Sequence, residues 1–178
     1  MTNNIKLIGV VGAGQMGLGI AQVFATSGFD VLINDNNKIS LSNSSEVIKA
    51  NLKKAINKGR LHKNAGISSV KKIKSEFDIS QLGKCDLIIE AATEDEKIKH
   101  EIFKDLIPHL QPHTILTSNT SSISITRLAA RTDRPEKFMG CHFMKPAPVM
   151  QLVELVRGIA TNEETANCLK DLVKKIGK

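Results

Sequence analysis

Apolar residues along the chain follow two alternating patterns, short unbroken runs and longer stretches with helical spacing. The runs predict strands buried on both faces, and the stretches predict helices that cover the sheet. Predicted strands cover residues 7–11, 30–35, 72–77, 85–91, 114–119, 138–143 and 151–156. Predicted helices cover residues 18–27, 47–58, 95–107, 124–130 and 162–176. This alternation favours one α/β domain over residues 1–178, a doubly wound, mostly parallel sheet flanked by helices.

A glycine-rich turn separates the first predicted strand from the first predicted helix. It reads G-x-G-x-x-G, and between a strand and a helix this motif is typical of Rossmann-type domains that bind a dinucleotide. The first glycine permits a tight turn, the second lets the backbone approach a pyrophosphate, and the third lets helix and strand pack closely. The N–H groups that begin the helix then face the phosphates. The residues predicted to bind the cofactor here are Gly12, Ala13, Gly14, Gln15, Met16 and Gly17.

An acidic residue, Asp35, closes the second predicted strand 18 residues after Gly17. A carboxylate at about this distance from the turn accepts hydrogen bonds from the adenosine ribose, which favours NAD over NADP. Asn36 and Asn37 follow it, so no arginine stands beside it to bind a 2′-phosphate. The alternative is a solvated aspartate at a strand end, with a glycine turn that only joins two elements.

Polar residues also follow the fourth and fifth predicted strands. Glu94 comes after the fourth strand, and Ser121 comes after the fifth. Ligands of open α/β sheets bind beyond the carboxyl ends of the strands. We therefore expect Gly12, Asp35, Glu94 and Ser121 to converge at one edge of the sheet.

Positive charge is concentrated on one predicted helix and the residues after it, within a net charge of +7. The basic positions are Lys49, Lys53, Lys54, Lys58, Arg60, Lys63, Lys71, Lys72 and Lys74. The apolar positions of the helix, which we expect to be buried with the lysines outward, are Val47, Ile48, Leu52, Ala55 and Ile56. The lysines form either an ordinary solvated face or a site for an anionic partner such as a polyphosphate substrate. Nucleic acid is disfavoured as a partner, because this stretch lacks base-stacking aromatic side chains.

Cysteine content and hydropathy favour a cytoplasmic protein that is not inserted in a membrane. Cys85, Cys141 and Cys168 are odd in number and widely spaced, which matches neither a disulfide framework nor a zinc site. We expect reduced, buried thiols and no bound metal. No apolar run approaches the roughly 20 residues that span a membrane. The first strand is expected to begin at Ile5 without a charged and apolar leader before it.

One of the five histidines, His142, lies in a setting that favours catalysis. It is in the sixth predicted strand, and a Pro-x-Pro connection leads to the seventh, so that Glu154 can return alongside it. A carboxylate bonded to one ring nitrogen fixes the tautomer, raises the basicity of the other nitrogen and stabilises the imidazolium. Such a pair would serve as a general base or acid. The alternative is a structural histidine whose hydrogen bonds are satisfied.

Five features in the same order resemble the 3-hydroxyacyl-CoA dehydrogenase family, the 3-hydroxybutyryl-CoA dehydrogenase branch in particular. They are GAGQMGLGIA at residues 12–21, Asp35, IIEAATEDEKIK at residues 88–99, SNTSSISIT at residues 118–126 and HFMKPAPVMQLVELV at residues 142–156. The resemblance implies an NAD-dependent enzyme. It would oxidise (S)-3-hydroxyacyl-CoA to 3-oxoacyl-CoA, or catalyse the reverse reaction.

The resemblance also implies roles for individual residues. His142 would be the base that removes the 3-hydroxyl proton, and Glu154 would be its orienting partner. Ser121 would hydrogen-bond the substrate oxygen near the nicotinamide, whereas by itself it could be an ordinary turn serine. Glu94 and Lys99 would contact NAD. By their position in the sequence alone, both would be interpreted as first-turn helix residues on a solvated face.

Further implied contacts involve the basic helix and the end of the sixth strand. Asn51 and Lys58 match positions that touch CoA in relatives, which gives the basic helix a purpose. Lys145 stands where relatives usually carry Asn, in the motif His-Phe-Phe-Asn-Pro, at a position that helps to hold the nicotinamide end. In the family an all-helical domain follows and supplies most contacts of a homodimer, and this domain is not expected within residues 1–178. These departures keep open a second hypothesis, a non-catalytic NAD-binding or structural module.

Overall fold

A computed structural model describes residues 5–178 and contains a seven-stranded sheet with helices on both faces. The strands are β1 (Leu7–Val11), β2 (Asp30–Asn34), β3 (Ile73–Glu76), β4 (Leu87–Glu90), β5 (Ile115–Ser118), β6 (Phe138–Phe143) and β7 (Val153–Arg157). Their order in space is β3-β2-β1-β4-β5-β6-β7, with β7 antiparallel to β6 and all other neighbours parallel. The predicted doubly wound, mostly parallel sheet of Rossmann type is confirmed. The stretch before Ile5, where we expect no leader, lies outside the described residues.

Helices connect the strands and begin at residues that suit helix N-termini. They are α1 (Gln15–Thr26), α2 (Lys38–Asn57), α3 (Lys63–Lys71), α4 (Glu96–Leu106), α5 (Ile125–Ala129) and α6 (Glu163–Lys175). The side chains of Asn37, Asp95 and Asn162 accept hydrogen bonds from backbone N–H groups in the first turns of α2, α4 and α6. Such caps satisfy N–H groups that lack a partner within the helix. Short polar residues therefore fix where these helices start.

Alternate side chains of each central strand enter hydrophobic cores on opposite faces of the sheet. In β1, Val10 packs in the core formed with α1, α2 and α6, whereas Val11 packs in the core formed with α4 and α5. The first core contains Phe24 of α1, and the second contains Phe103 of α4 in edge-to-face contact with Phe138. Since the central strands β4 and β5 are buried on both faces, they read as unbroken apolar runs, whereas the edge strands β3 and β7 are partly exposed.

Two expectations about the lysine-rich segment are wrong in detail. The segment forms two helices, and α3 went unpredicted because a glycine and two serines interrupt its apolar spacing. Val47 was expected to be buried and is 42% exposed. Val47 lies outside the buried stripe of α2, which is formed by Leu41, Ser44, Ile48 and Leu52. The expected burial is confirmed for Ile48 and Leu52, and Ala55 and Ile56 are half-buried. The outward position of the helix lysines is confirmed, because all of them are exposed.

The three cysteines are free and buried, as expected. Burial raises the pKa of the Cys85 and Cys141 thiols to about 12, so both stay protonated near neutral pH. Within residues 5–178, no group of three His, Cys, Asp or Glu side chains is placed to hold a metal ion. None of the helices in the same part of the chain combines the length and the apolar content needed to cross a membrane.

Candidate active site

The backbone of the glycine turn after β1 is shaped as a cradle. Gly12 has a φ of +110°, which residues with a side chain rarely adopt. A Cβ on it would lie 2.6 Å from the carbonyl oxygen of Ala91, the residue after the neighbouring strand β4. A Cβ on Gly17 would lie 1.8 Å from the carbonyl oxygen of Gly12, so α1 can begin this close to β1 only with glycine there. A Cβ on Gly14 would meet nothing within 4 Å. The protein itself requires the first and third glycines, whereas the second borders open space.

The other predicted residues of the turn lie around this cradle. Ala13 is buried, Gln15 is exposed and Met16 is half-buried at the start of α1. Asp35 accepts a hydrogen bond from the N–H of Ala13 at 2.6 Å through Oδ2, and from the N–H of Asn37 at 2.7 Å through Oδ1. The aspartate is therefore more than a solvated strand end, because it ties the glycine turn to the start of α2.

A cavity of about 830 Å³ opens beside the turn, and Gly14 and Asp35 line it. Its apolar wall includes Phe77 after β3 and Ile98 of α4, which are 51% and 47% exposed. Asn34 holds Phe77 in place, because its Nδ2 donates to the Phe77 carbonyl oxygen at 3.0 Å. This wall was not predicted from the sequence, although the rule that ligands bind at strand ends also applies to the end of β3. A slot of this kind suits a flat, largely apolar ring.

Glu94, between β4 and α4, binds the loop that follows β5. Its Oε1 accepts hydrogen bonds from the hydroxyl of Thr120 and from the N–H groups of Ser121 and Ser122, the latter two at 3.1 and 3.3 Å. Partial burial raises the pKa of the Glu94 carboxyl, but these hydrogen bonds and nearby Lys99 outweigh it, so the pKa lies below its usual range. The exposed Ser121 is thus presented by a loop that a charged carboxylate holds.

Lys99 is buried, so its interpretation as a helix residue on a solvated face is wrong. Its side chain is 1% exposed, and Nζ lies 2.8 Å from both carboxylate oxygens of Glu90, the last residue of β4. The same Nζ is 3.8 Å from Oε2 of Glu94. Contact between Lys99 and NAD stays a prediction. The structure places the ammonium group next to Glu94 and away from solvent.

His142 and Glu154 face each other across the antiparallel pair β6 and β7. Their Cα atoms are partners in the register, and Nδ1 of the ring lies 2.8 Å from Oε2 of the carboxylate. An ionised carboxylate only accepts hydrogen bonds, so Nδ1 carries the hydrogen. Within residues 5–178 no group hydrogen-bonds Nε2. The geometry leaves a half-buried histidine with a fixed tautomer and one available nitrogen at the carboxyl edge of the sheet.

Asn119 is a positioning residue that the sequence analysis missed. Its Oδ1 accepts a hydrogen bond from the N–H of Phe143 at 2.8 Å, and its own N–H donates to the carbonyl oxygen of Glu90 at 2.8 Å. Since β6 pairs with β5 only as far as Gly140, this tie holds the end of β6 beside His142. The sequence indicates this position only by an amide side chain at the end of a predicted strand, in the motif SNTSSISIT.

A second cavity, of about 300 Å³, lies between α1, α2 and the loop after β6. Asn51 and Lys58 line it together, with Lys54 and Arg60 beside them. Gln15 of the glycine turn lines the same cavity. The structure therefore brings both residues predicted to contact CoA into one basic groove that borders the glycine turn.

Lys145 lies two residues after the end of β6, before the loop that borders this groove. Its side chain is exposed, and the peptide bond to Pro146 is cis. Contact between Lys145 and the nicotinamide end of a cofactor stays a prediction.

Comparison with known proteins agrees with this geometry. Residues 7–178 match the family model described as 3-hydroxyacyl-CoA dehydrogenase, NAD binding domain. The chain is 48% identical over 174 residues to the 3-hydroxybutyryl-CoA dehydrogenase of Bradyrhizobium diazoefficiens, which covers 98% of the chain and 59% of that protein. It superposes on the (S)-3-hydroxybutyryl-CoA dehydrogenase of Ralstonia eutropha with a TM-score of 0.94 and 39% identity, over 98% of the chain and 62% of that structure. The 3-hydroxybutyryl-CoA dehydrogenase structure from Escherichia coli gives a TM-score of 0.94 and 40% identity, over 98% of the chain and 37% of that structure.

These similarities extend over nearly the whole chain, including the glycine turn and the His142–Glu154 pair. The chain spans about three fifths of the length of the curated relatives it matches. On its sequence, its fold and the placement of its polar residues, the chain belongs to the 3-hydroxyacyl-CoA dehydrogenase family and corresponds to that family's NAD-binding domain.

Proposed function

We propose that this chain is the NAD-binding and proton-transferring part of an enzyme that oxidises (S)-3-hydroxyacyl-CoA to 3-oxoacyl-CoA, or catalyses the reverse. The preferred substrate would be 3-hydroxybutyryl-CoA, as the names of the similar proteins from Bradyrhizobium diazoefficiens and Ralstonia eutropha suggest. The observation that carries the proposal is the His142–Glu154 hydrogen bond of 2.8 Å at the sheet edge that also bears the glycine turn.

The residues of the cavity beside the turn fit NAD. Gly14 borders open space where a pyrophosphate can approach the backbone, and Asp35 is placed to accept hydrogen bonds from a ribose. Phe77 and Ile98 offer an apolar slot for the adenine ring. A 2′-phosphate would meet the Asp35 carboxylate, which disfavours NADP. NAD, when bound, accepts the hydride in oxidation and supplies it in the reverse direction.

His142 and Glu154 would move the proton. In the oxidation direction, Nε2 of His142 accepts the proton of the substrate's 3-hydroxyl group. Glu154 stabilises the imidazolium that forms, because it already accepts a hydrogen bond from Nδ1. In the reverse direction the same nitrogen returns the proton to the new hydroxyl. A positioned acid or base of this kind typically contributes about 10²- to 10⁴-fold to the rate.

Ser121 and the basic groove would position the substrate. The Ser121 hydroxyl is exposed beside Glu94 and would donate a hydrogen bond to the substrate oxygen that changes between hydroxyl and carbonyl. Asn51 and Lys58 would contact the CoA portion, and the positive charge of their groove attracts its phosphates. The remaining expectations belong to the same proposal, namely one NAD-binding domain over residues 1–178, a cytoplasmic location, and a homodimer formed by the whole protein.

A turnover assay on the purified chain tests the proposal. With NADH and acetoacetyl-CoA, the nicotinamide absorbance should fall with time, and His142→Gln should abolish the change while NADH still binds. His109→Gln, at an exposed histidine outside the site, is the matched control and should react like the wild type. Saturable NADH binding without turnover would contradict the catalytic proposal for this chain.

The second candidate is a non-catalytic NAD-binding or structural module descended from such an enzyme. It is favoured by Lys145, which replaces the Asn of the family motif and lies exposed after β6. The same assay separates the two functions. Turnover by the wild-type chain supports the first function, whereas saturable NADH binding without turnover, in the wild type and in Lys145→Asn alike, supports the second.

A further inference from the structure

The most deeply buried charges of the chain lie under the candidate site, and the proton-transfer steps above do not use them. Glu90 and Lys99 are 0% and 1% exposed, with Nζ at 2.8 Å from both carboxylate oxygens. Glu90 also accepts hydrogen bonds from the hydroxyl of Ser118 at 2.6 Å and from the N–H of Ala92 at 2.8 Å. The pair therefore fastens α4 to the carboxyl ends of β4 and β5.

Stability alone does not account for this pair. Removing two charges from water is costly, and well-packed apolar residues in place of a buried ion pair are often as stable or more stable. In the sheet, Glu90 lies between the apolar Val11 of β1 and the polar Ser118 of β5. Burial of this pair is therefore weak evidence for a role in stability alone.

The ammonium group of Lys99 has a second partner at the edge of the site. Its distance to Oε2 of Glu94 is 3.8 Å, while Oε1 of the same carboxylate receives Thr120, Ser121 and Ser122. One oxygen of Glu94 thus faces the buried cation, and the other faces the loop that presents Ser121. Glu94 links a buried charge to the buried Thr120 and to the exposed Ser121 and Ser122.

We propose that Lys99 is a positioning residue that acts from beneath the site. Nζ, held by Glu90, fixes the orientation and the negative charge of Glu94, and Glu94 in turn fixes the loop of residues 120–122, so that the Ser121 hydroxyl stays directed at the substrate. The assignment of Ser121 to the substrate rests on the proposed function. The chain of contacts from Lys99 to the loop does not.

A pH titration of backbone amides tests the proposal without cofactor or substrate. In ¹⁵N-labelled protein, the amide signals of Ser121 and Ser122 report on the Glu94 carboxylate to which both N–H groups donate. The informative variant is Glu90→Gln combined with Lys99→Met, which removes both buried charges and leaves none unpaired. Glu90→Gln alone keeps the ammonium group beside Glu94. Lys97→Met, at an exposed position of α4, is the matched control for the lysine substitution.

We expect the two amides of the wild type to titrate at a pH below the ordinary range of a glutamate, and Lys97→Met to behave similarly. In Glu90→Gln the ammonium group keeps Glu94 as its carboxylate neighbour, so the midpoint should stay as low or move lower. In the double variant the midpoint should move to higher pH, and hydrogen exchange at both amides should accelerate. A purely structural pair would lower thermal stability and leave the titration midpoint unchanged.

Two outcomes would overturn the proposal. One is a double variant that folds, by circular dichroism, and titrates at the same midpoint as Glu90→Gln. The other is a wild-type midpoint in the ordinary glutamate range, which decides the matter even if the double variant fails to fold. Failure of the proposed function looks different, because it would leave these amide titrations intact while NADH turnover is absent.

Discussion

Alanine at the second and at the third glycine of the turn should separate the cofactor's needs from those of the fold. A Cβ on Gly17 would lie 1.8 Å from the carbonyl oxygen of Gly12. Carbon and oxygen in contact normally stay about 3.3 Å apart or more, so backbone on one side must move by about 1.5 Å. Forced packing of this kind typically costs about 1–3 kcal/mol, and backbone resistance places this case near the upper end. At about 2–4 °C per kcal/mol for a chain of this size, Gly17→Ala should lower Tm by roughly 6–12 °C.

Gly14→Ala should have the opposite profile. The residue has φ −77° and ψ −177°, which any L residue adopts, and a Cβ on it meets no atom within 4 Å. Its effect on folding should stay within about 0.5 kcal/mol, or roughly 2 °C in Tm. The new methyl group would occupy the space where a pyrophosphate approaches the turn, so NADH affinity should fall by about tenfold or more, equivalent to about 1.4 kcal/mol.

Both quantities can be measured on the same samples, Tm by circular dichroism and NADH affinity by nicotinamide fluorescence. We expect Gly14→Ala to have a lower NADH affinity and the Tm of the wild type. We expect Gly17→Ala to have both a lower NADH affinity and a lower Tm. Wild-type NADH affinity in Gly14→Ala would refute the reasoning that the open space beside this glycine is the phosphate site. Equal Tm values for the two variants would refute the steric argument for Gly17.

Two further predictions concern carboxylates. Asp35→Ala should reduce NADH affinity and the preference for NADH over NADPH, because it removes the predicted ribose acceptor and the partner of the Ala13 N–H. Titrations with NADH and with NADPH measure this preference, and an unchanged preference would count against the assignment. At the opposite edge of the sheet, partial burial raises the pKa of Asp86. Hydrogen bonds from the N–H groups of Leu7 and Lys6 and from the His113 ring outweigh this effect, so the pKa lies below its usual value. A depressed folded-state pKa stabilises the protein above the unfolded-state value, and this stability is lost as pH falls through the folded-state value. Asp86→Asn should therefore lower the urea midpoint at neutral pH and match the wild type in strong acid; equal midpoints at neutral pH would contradict this.

Most of the fold could be predicted from the glycine turn and from the apolar runs of the strands, because both are local patterns in the sequence. Unbroken apolar runs occur where a parallel strand is buried on both faces. A helix that begins where a Cβ would lie 1.8 Å from the carbonyl oxygen of Gly12 requires glycine at that position. Elements whose packing contradicts their composition were harder to predict. The segment of α3 is rich in small and polar residues, and Val47 is apolar yet lies outside the stripe through which α2 packs.

Sequence by itself determined which residue types end each strand, and hence the prediction that Gly12, Asp35, Glu94 and Ser121 share one edge of the sheet. Only the tertiary structure decided what lies next to them. The antiparallel register set the His142–Glu154 distance at 2.8 Å, and packing of α4 on the sheet buried Lys99 against Glu90. These contacts join residues from different elements, and their geometry depends on register and on helix rotation. Neither is encoded at any single position of the chain.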